Sequence, residues 1–137
     1  MSNERYGRSF VQELLDDGNE EEALAAAERE IGDKPEAASA HYDHALVLEA
    51  LERGEEALAA YERALSCNQR ERTVEGFVLD DAYFSALLDV AQTKGRAGLE
   101  IVARYRVHAP DGAHLSELGE WEARLAGRAP SLLDKTK

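Results

Sequence analysis

The run His41-Tyr42-Asp43-His44 carries the densest potential for chemistry in this 137-residue chain. Histidines three apart on a helix share a face and can offer two imidazoles to one metal ion, but zinc needs three or four protein ligands. The other two histidines, His108 and His114, stand far along the chain and outside any ligand motif. The expected role of His41 and His44 is therefore structural, with no metal and no cofactor. Cys67 is the only cysteine, which excludes an intrachain disulfide, and it falls near a helix end where a buried thiol is inert. No serine sits in a nucleophile elbow, and no glycine-rich loop follows a strand-like run. Glu20-Glu21-Glu22 and Glu55-Glu56 open helical stretches, where carboxylates complement the positive end of the helix dipole. The residues read as those of a non-enzyme; a His-based metal-binding protein is the weakest of the alternatives.

Charge narrows the partners. The net charge is −12 and is uneven: residues 1–37 hold 4 basic and 11 acidic side chains, and residues 38–71 hold 3 and 7. Nucleic acids and anionic membranes are attracted by Lys and Arg, so this acidic half excludes both as expected partners. A basic protein partner is compatible. No apolar run reaches the roughly 18 residues of a membrane span, and the polar start Met1-Ser2-Asn3-Glu4-Arg5 lacks a signal-peptide core, which sets the expectation of a cytoplasmic protein.

The elements that position these residues come from an internal repeat. Residues 21–29 read EEALAAAER and residues 55–63 read EEALAAYER, identical except for Ala27 against Tyr61, at an offset of 34. Ala57, Leu58, Tyr61, Ala64 and Leu65 fall on one helical face. Tyr42, Ala45, Leu48 and Leu51 give the preceding helix its stripe, and Glu52-Arg53-Gly54 breaks between the two. In the first unit Tyr6, Phe10, Leu14 and Leu15 precede the break Asp17-Gly18-Asn19. Asn19 with Glu22 predicts a capping box, and Gly32 predicts a stop after Ile31. Pro35 is expected in the first turn of the next helix.

A 34-residue helix-turn-helix period with these small and bulky positions resembles the tetratricopeptide repeat (TPR) family. In the second unit His41, His44, Ala45, Leu48, Ala57, Tyr61 and Ala64 occupy the family's pattern, His41 and His44 standing where Trp and Leu are usual. In the first unit Phe10, Leu14, Ala23 and Pro35 match, while Gly7, Ala27 and Glu30 depart from it. The resemblance implies an all-α fold, a right-handed superhelix of antiparallel helix-turn-helix hairpins with a C-terminal capping helix. Repeat 1 spans about 4–37, repeat 2 about 38–71 and a degenerate repeat 3 about 81–110. A capping helix lies at about 114–127, the whole making a single domain over 1–130 with a flexible tail at 131–137. An insertion at about 72–80, loop or helix extension, breaks the period, with Asp80 or Asp81 expected to cap the helix that follows. Lys94-Gly95-Arg96 makes the next turn.

The resemblance further implies a non-enzymatic scaffold that binds a peptide or protein in a concave groove lined by the first helix of each hairpin. The matching positions are Arg5, Arg8, Gln12 and Leu15 in repeat 1, Ser39, Tyr42, Asp43, Leu46 and Glu49 in repeat 2, and Tyr83, Phe84 and Leu87 in repeat 3. Gln12 and Asp43 stand where a carboxylate-gripping clamp would need Asn, which argues against that subclass. The alternative is a subunit that self-associates through a hydrophobic face or through the insertion, so a homo-oligomer stays open.

Overall fold

The computed structural model describes residues 9–127; Arg5, Arg8 and the tail at 131–137 lie outside them. Among the described residues there are seven α-helices, one 3-10 turn and no strand. The helices are α1 (Phe10–Asp16), α2 (Glu20–Asp33), α3 (Ala38–Ala50), α4 (Gly54–Arg70), α5 (Gly76–Gln92), α6 (Gly98–His108) and α7 (Leu115–Leu125), with the 3-10 turn at Gly95–Ala97. Among the described residues no helix is long and apolar enough to cross a membrane. The chain forms two compact units, Met1–Leu79 and Asp80–Lys137.

In the first unit α1 packs on α2 and α3, α2 on α3, and α3 on α4. Ser9 starts α1 by accepting the Gln12 N–H at 3.1 Å. The repeat is visible in the backbone itself. Gly18 closes α1 at φ +83°, and its counterpart 34 residues on, Glu52, closes α3 at φ +62°. Asn19 N–H bonds Leu14 O, and Arg53 N–H repeats that bond to Leu48 O. Left-handed backbone is natural for glycine and costs another L-residue on the order of 1 kcal/mol, so Glu52 is held there by the turn around it.

The echo helices bury the same face with small residues. Ala23, Ala26 and Ala27 of α2 and Ala57, Ala60 and Ala64 of α4 are all buried, and side chains this small let neighbouring helices approach closely. Where Ala27 becomes Tyr61, the added ring is fully buried and its hydroxyl donates to Glu49 Oε1 at 2.5 Å.

Several boundaries differ from the sequence reading. Asn19 makes no side-chain cap, so the capping box does not form; Glu20, Glu21 and Glu22 still supply acidic charge to the first turn of α2. That helix continues through Gly32 to Asp33, and α3 begins only at Ala38. Pro35 thus sits in the turn before α3 rather than in its first turn. The insertion at about 72–80 is neither one loop nor an extension of the preceding helix: its first part is a connector and its last part opens the next helix. Helix α4 extends to Arg70, residues 71–75 connect, and α5 begins at Gly76. Asp80 and Asp81 therefore lie inside α5 instead of capping it.

In the second unit α6 packs on α7 and on the 3-10 turn. Leu79 apart, the buried side chains of α5 (Tyr83, Phe84, Ala86, Leu87, Val90 and Ala91) belong to this unit, with Val102, Tyr105 and Leu118. Tyr83 stacks on Tyr105 with centroids 6.1 Å apart, and Phe84 meets Tyr105 edge-on at 5.2 Å. Gly98 lies so close to Ala91 that a Cβ there would run into the Ala91 carbonyl.

Candidate binding groove

The first unit carries a groove of about 380 Å³ lined by residues of α1, α2, α3 and the segment 73–78. Gln12 enters from α1, Glu30 from α2, and Ser39, Tyr42 and Asp43 from α3; Thr73, Val74, Glu75 and Val78 form the remaining rim. That rim is shaped by Asn68. Its side-chain oxygen accepts the N–H groups of Thr73 and Val74 at 3.0 and 3.2 Å, and its amide donates to Val74 O at 3.0 Å. Thr73 in turn accepts the Ser39 N–H at 3.0 Å, tying the connector to the start of α3.

Asp43 is the electrostatic centre of this groove. It is only 2% exposed, and Gln12 Nε2 donates to its Oδ1 at 2.9 Å. Burial pushes its carboxyl above the usual range, against the opposing pull of the Gln12, Ser9 and Glu30 hydrogen bonds. Glu30 is also raised, first by burial and then by Asp43, with Lys34 opposing. Of the two, Glu30 is the natural proton holder, donating to the Asp43 carboxylate. Burial raises the phenol of Tyr42 as well, with Asp43 and Glu49 adding to it. The wall thus holds three carboxyl groups, from Glu30, Asp43 and Glu75, and no Lys or Arg among its described lining residues.

Of the positions drawn from the resemblance, Gln12, Ser39, Tyr42 and Asp43 come together here. Leu15, Leu46 and Glu49 are half-buried elsewhere in the first unit. Tyr83, Phe84 and Leu87 are buried in the packing of the second unit, at 0%, 5% and 0% exposure. The sequence reading passed over Glu30, Thr73, Val74, Glu75 and Val78. Glu30 had one signal, since a carboxylate stood where the family pattern wants a small residue; the others lie in the stretch where the period breaks.

His41 is buried, and its Nε2–H donates to Pro35 O at 2.8 Å, fixing the end of the preceding turn. Burial lowers the His44 pKa, keeping that ring neutral near pH 7. The Nδ1 atoms of both rings are buried with no hydrogen-bond partner among the described residues, and no third ligand gathers beside them. Cys67 is buried.

Compared with known proteins, the chain matches no family model, no curated protein and no solved structure.

Proposed function

We propose that this chain is a TPR-like, non-enzymatic interaction module, its first four helices forming two consecutive hairpins of a right-handed superhelix. In this reading α5 and α6 are a degenerate third hairpin, closed within its own unit by α7. The observation that carries the reading is that the 34-residue offset returns in the turns. Gly18 and Glu52 both take left-handed backbone, and the Asn19 N–H bond to Leu14 O is matched by that of Arg53 N–H to Leu48 O. Stacked units of one repeat share such turns.

The groove over Asp43 is then the binding surface, and its partner is a peptide or protein segment that brings a cationic side chain. A Lys or Arg stem would lie along Val74, Val78 and the Tyr42 ring while its head meets Asp43, Glu30 and Glu75. The incoming charge would displace the proton held at Glu30, exchanging a proton shared between two carboxyl groups for an ion pair. Selection of a random peptide library on the full chain tests this. The peptides recovered should be basic, and Tyr42→Ala plus Glu75→Gln should weaken them roughly tenfold, about 1.4 kcal/mol. Recovery of neutral or acidic peptides overturns the cationic partner; unchanged binding by the folded double variant overturns the groove.

Self-association is the second reading, and one observation favours it. Phe77, in the segment that breaks the period, is 67% exposed. Light scattering across concentration, repeated with Phe77→Ser, decides it: a dimer lost in the variant places the interface at this segment.

A further inference from the structure

Asp80, Asp81 and His114 approach one another in the second unit, with one ligand atom from each inside a span of 4.8 Å. This site is independent of the groove. His114 immediately precedes α7, and its Nε2 faces Asp81 Oδ1 at 2.7 Å. Its Nδ1 faces Glu117 Oε1 at 2.5 Å. The ring is fixed in place, lying flat on Phe84 with centroids 4.5 Å apart and planes 4° from parallel, and set edgewise against Tyr105. Asp80 is oriented as firmly. Tyr105 Oη donates to its Oδ1 at 2.5 Å and the Ala113 N–H to its Oδ2 at 2.9 Å. Tyr105 Oη also accepts the His114 N–H at 3.1 Å.

We infer that Asp80, Asp81 and His114 bind a divalent transition-metal ion such as Zn²⁺. Nε2 of His114 and one oxygen from each aspartate supply three ligands, and water completes a tetrahedral set. Glu117 accepts the hydrogen bond of Nδ1–H, the usual arrangement at a metal-bound imidazole, which fixes the tautomer that turns the Nε2 lone pair toward the ion. One imidazole with two carboxylates suits zinc, cobalt and manganese more than calcium or magnesium.

Charge favours a metal over a proton. An imidazolium would bring one positive charge among the carboxylates of Asp80, Asp81 and Glu117, leaving −2, whereas a dication beside neutral His114 leaves −1. Bonds near 2.0–2.2 Å require the three donors to close slightly. Asp81 can make that movement, since its side chain is 62% exposed. The ligands are also hard to see in sequence. Asp81 and His114 are 33 residues apart, and the two aspartates sit within a helix.

The test is calorimetric titration of the chelator-treated full chain with ZnCl₂, followed by Co²⁺ substitution. Saturable binding of a single zinc is expected, with visible cobalt bands of a four- or five-coordinate site. Asp81→Asn, at an exposed side chain, should weaken binding about tenfold or more, Glu117→Gln should weaken it by about tenfold, and His114→Ala should abolish it. His41→Ala plus His44→Ala should leave it unchanged. No saturable binding by the natural chain overturns the assignment, as does full binding by Asp81→Asn or His114→Ala.

Discussion

The two units solve the same packing problem with different materials. The first buries many alanines: the counterpart faces of α2 and α4 include Ala23, Ala26, Ala27, Ala57, Ala60 and Ala64, with Leu58 and Tyr61 the large side chains buried among them. The second buries rings, with Tyr83, Phe84 and Tyr105 in mutual contact and His114 laid on Phe84. Small residues specify a spacing, and a spacing can be copied from one hairpin to the next. Rings with polar tips specify particular partners: Tyr105 must reach Asp80, and Asp80 must reach the chain before α7. Such a network is satisfied in one arrangement only, and it does not repeat. Loss of the 34-residue period after residue 71 is the sequence trace of this change.

Glycine substitution should break the comparison most sharply. Gly98→Ala forces a methyl against the Ala91 carbonyl, which should destabilise the second unit by about 2–3 kcal/mol. Gly32→Ala in the first unit meets nothing within 4 Å inside a helix, and should stabilise by about 0.5–1 kcal/mol. Urea unfolding of both variants reads the contrast, and equal effects would sink it.

The buried phenols should differ less. Tyr105→Phe removes a hydroxyl that serves Asp80 and His114, and should cost about 1–3 kcal/mol, since it leaves a half-buried acceptor short of its donor. Tyr61→Phe removes the bond to half-buried Glu49, at about 1 kcal/mol. A larger loss at Tyr61 would show that the ring position, not the network, sets the scale.

Acid titration addresses the groove. Asp43 and Glu30 have carboxyl pKa values raised on folding. Between the ordinary carboxylate range and those raised values the folded chain therefore binds more protons than the unfolded chain. Stability should fall as pH rises through that window and recover as pH falls. Asp43→Asn, which keeps an acceptor for Gln12 and offers a donor to Glu30, should flatten this slope by up to roughly 1 kcal/mol. Melting temperatures of both proteins from mildly acidic to neutral pH provide the measurement, and identical slopes would remove the pair from the account. The smallest effect is expected at Arg70→Ala. Its ion pair with Glu36 is 69% and 74% exposed, so stability should change by less than about 0.5 kcal/mol. A larger loss in urea unfolding would show that this exposed pair is a packing determinant of the first unit.

The legible parts of the molecule were those encoded locally. The breaks at Asp17-Gly18-Asn19 and Glu52-Arg53-Gly54, the turn around Gly95 and the last helix could all be read from apolar periodicity and turn residues. What escaped was set by distant groups. Asp80 and Asp81 look like caps in a window of a few residues, but Asp80 is held by a phenol 25 residues away. The insertion at about 72–80 reads as a loop or a helix extension, because nothing local shows that Asn68 will bind the backbone of Thr73 and Val74. Gly32 carries a stop signal that α2 overrides, and Asn19 carries a cap signal that its backbone geometry leaves unused. Of the groove's lining residues, Gln12, Ser39, Tyr42 and Asp43 are among those the family resemblance implies; Glu30 is not, because that resemblance assigns the second helix of a hairpin to scaffold. Tyr83 and Leu87 show the converse, since an aromatic or aliphatic side chain at a groove position serves equally well as interior.

The matched turns bear on how such a chain changes over time. Gly18 and Glu52 stand 34 residues apart and take the same left-handed backbone, though only one of them is glycine. A turn held by the bonds around it keeps its shape when its residue changes. Sequence identity between the two units should therefore fade at the turns before their geometry does.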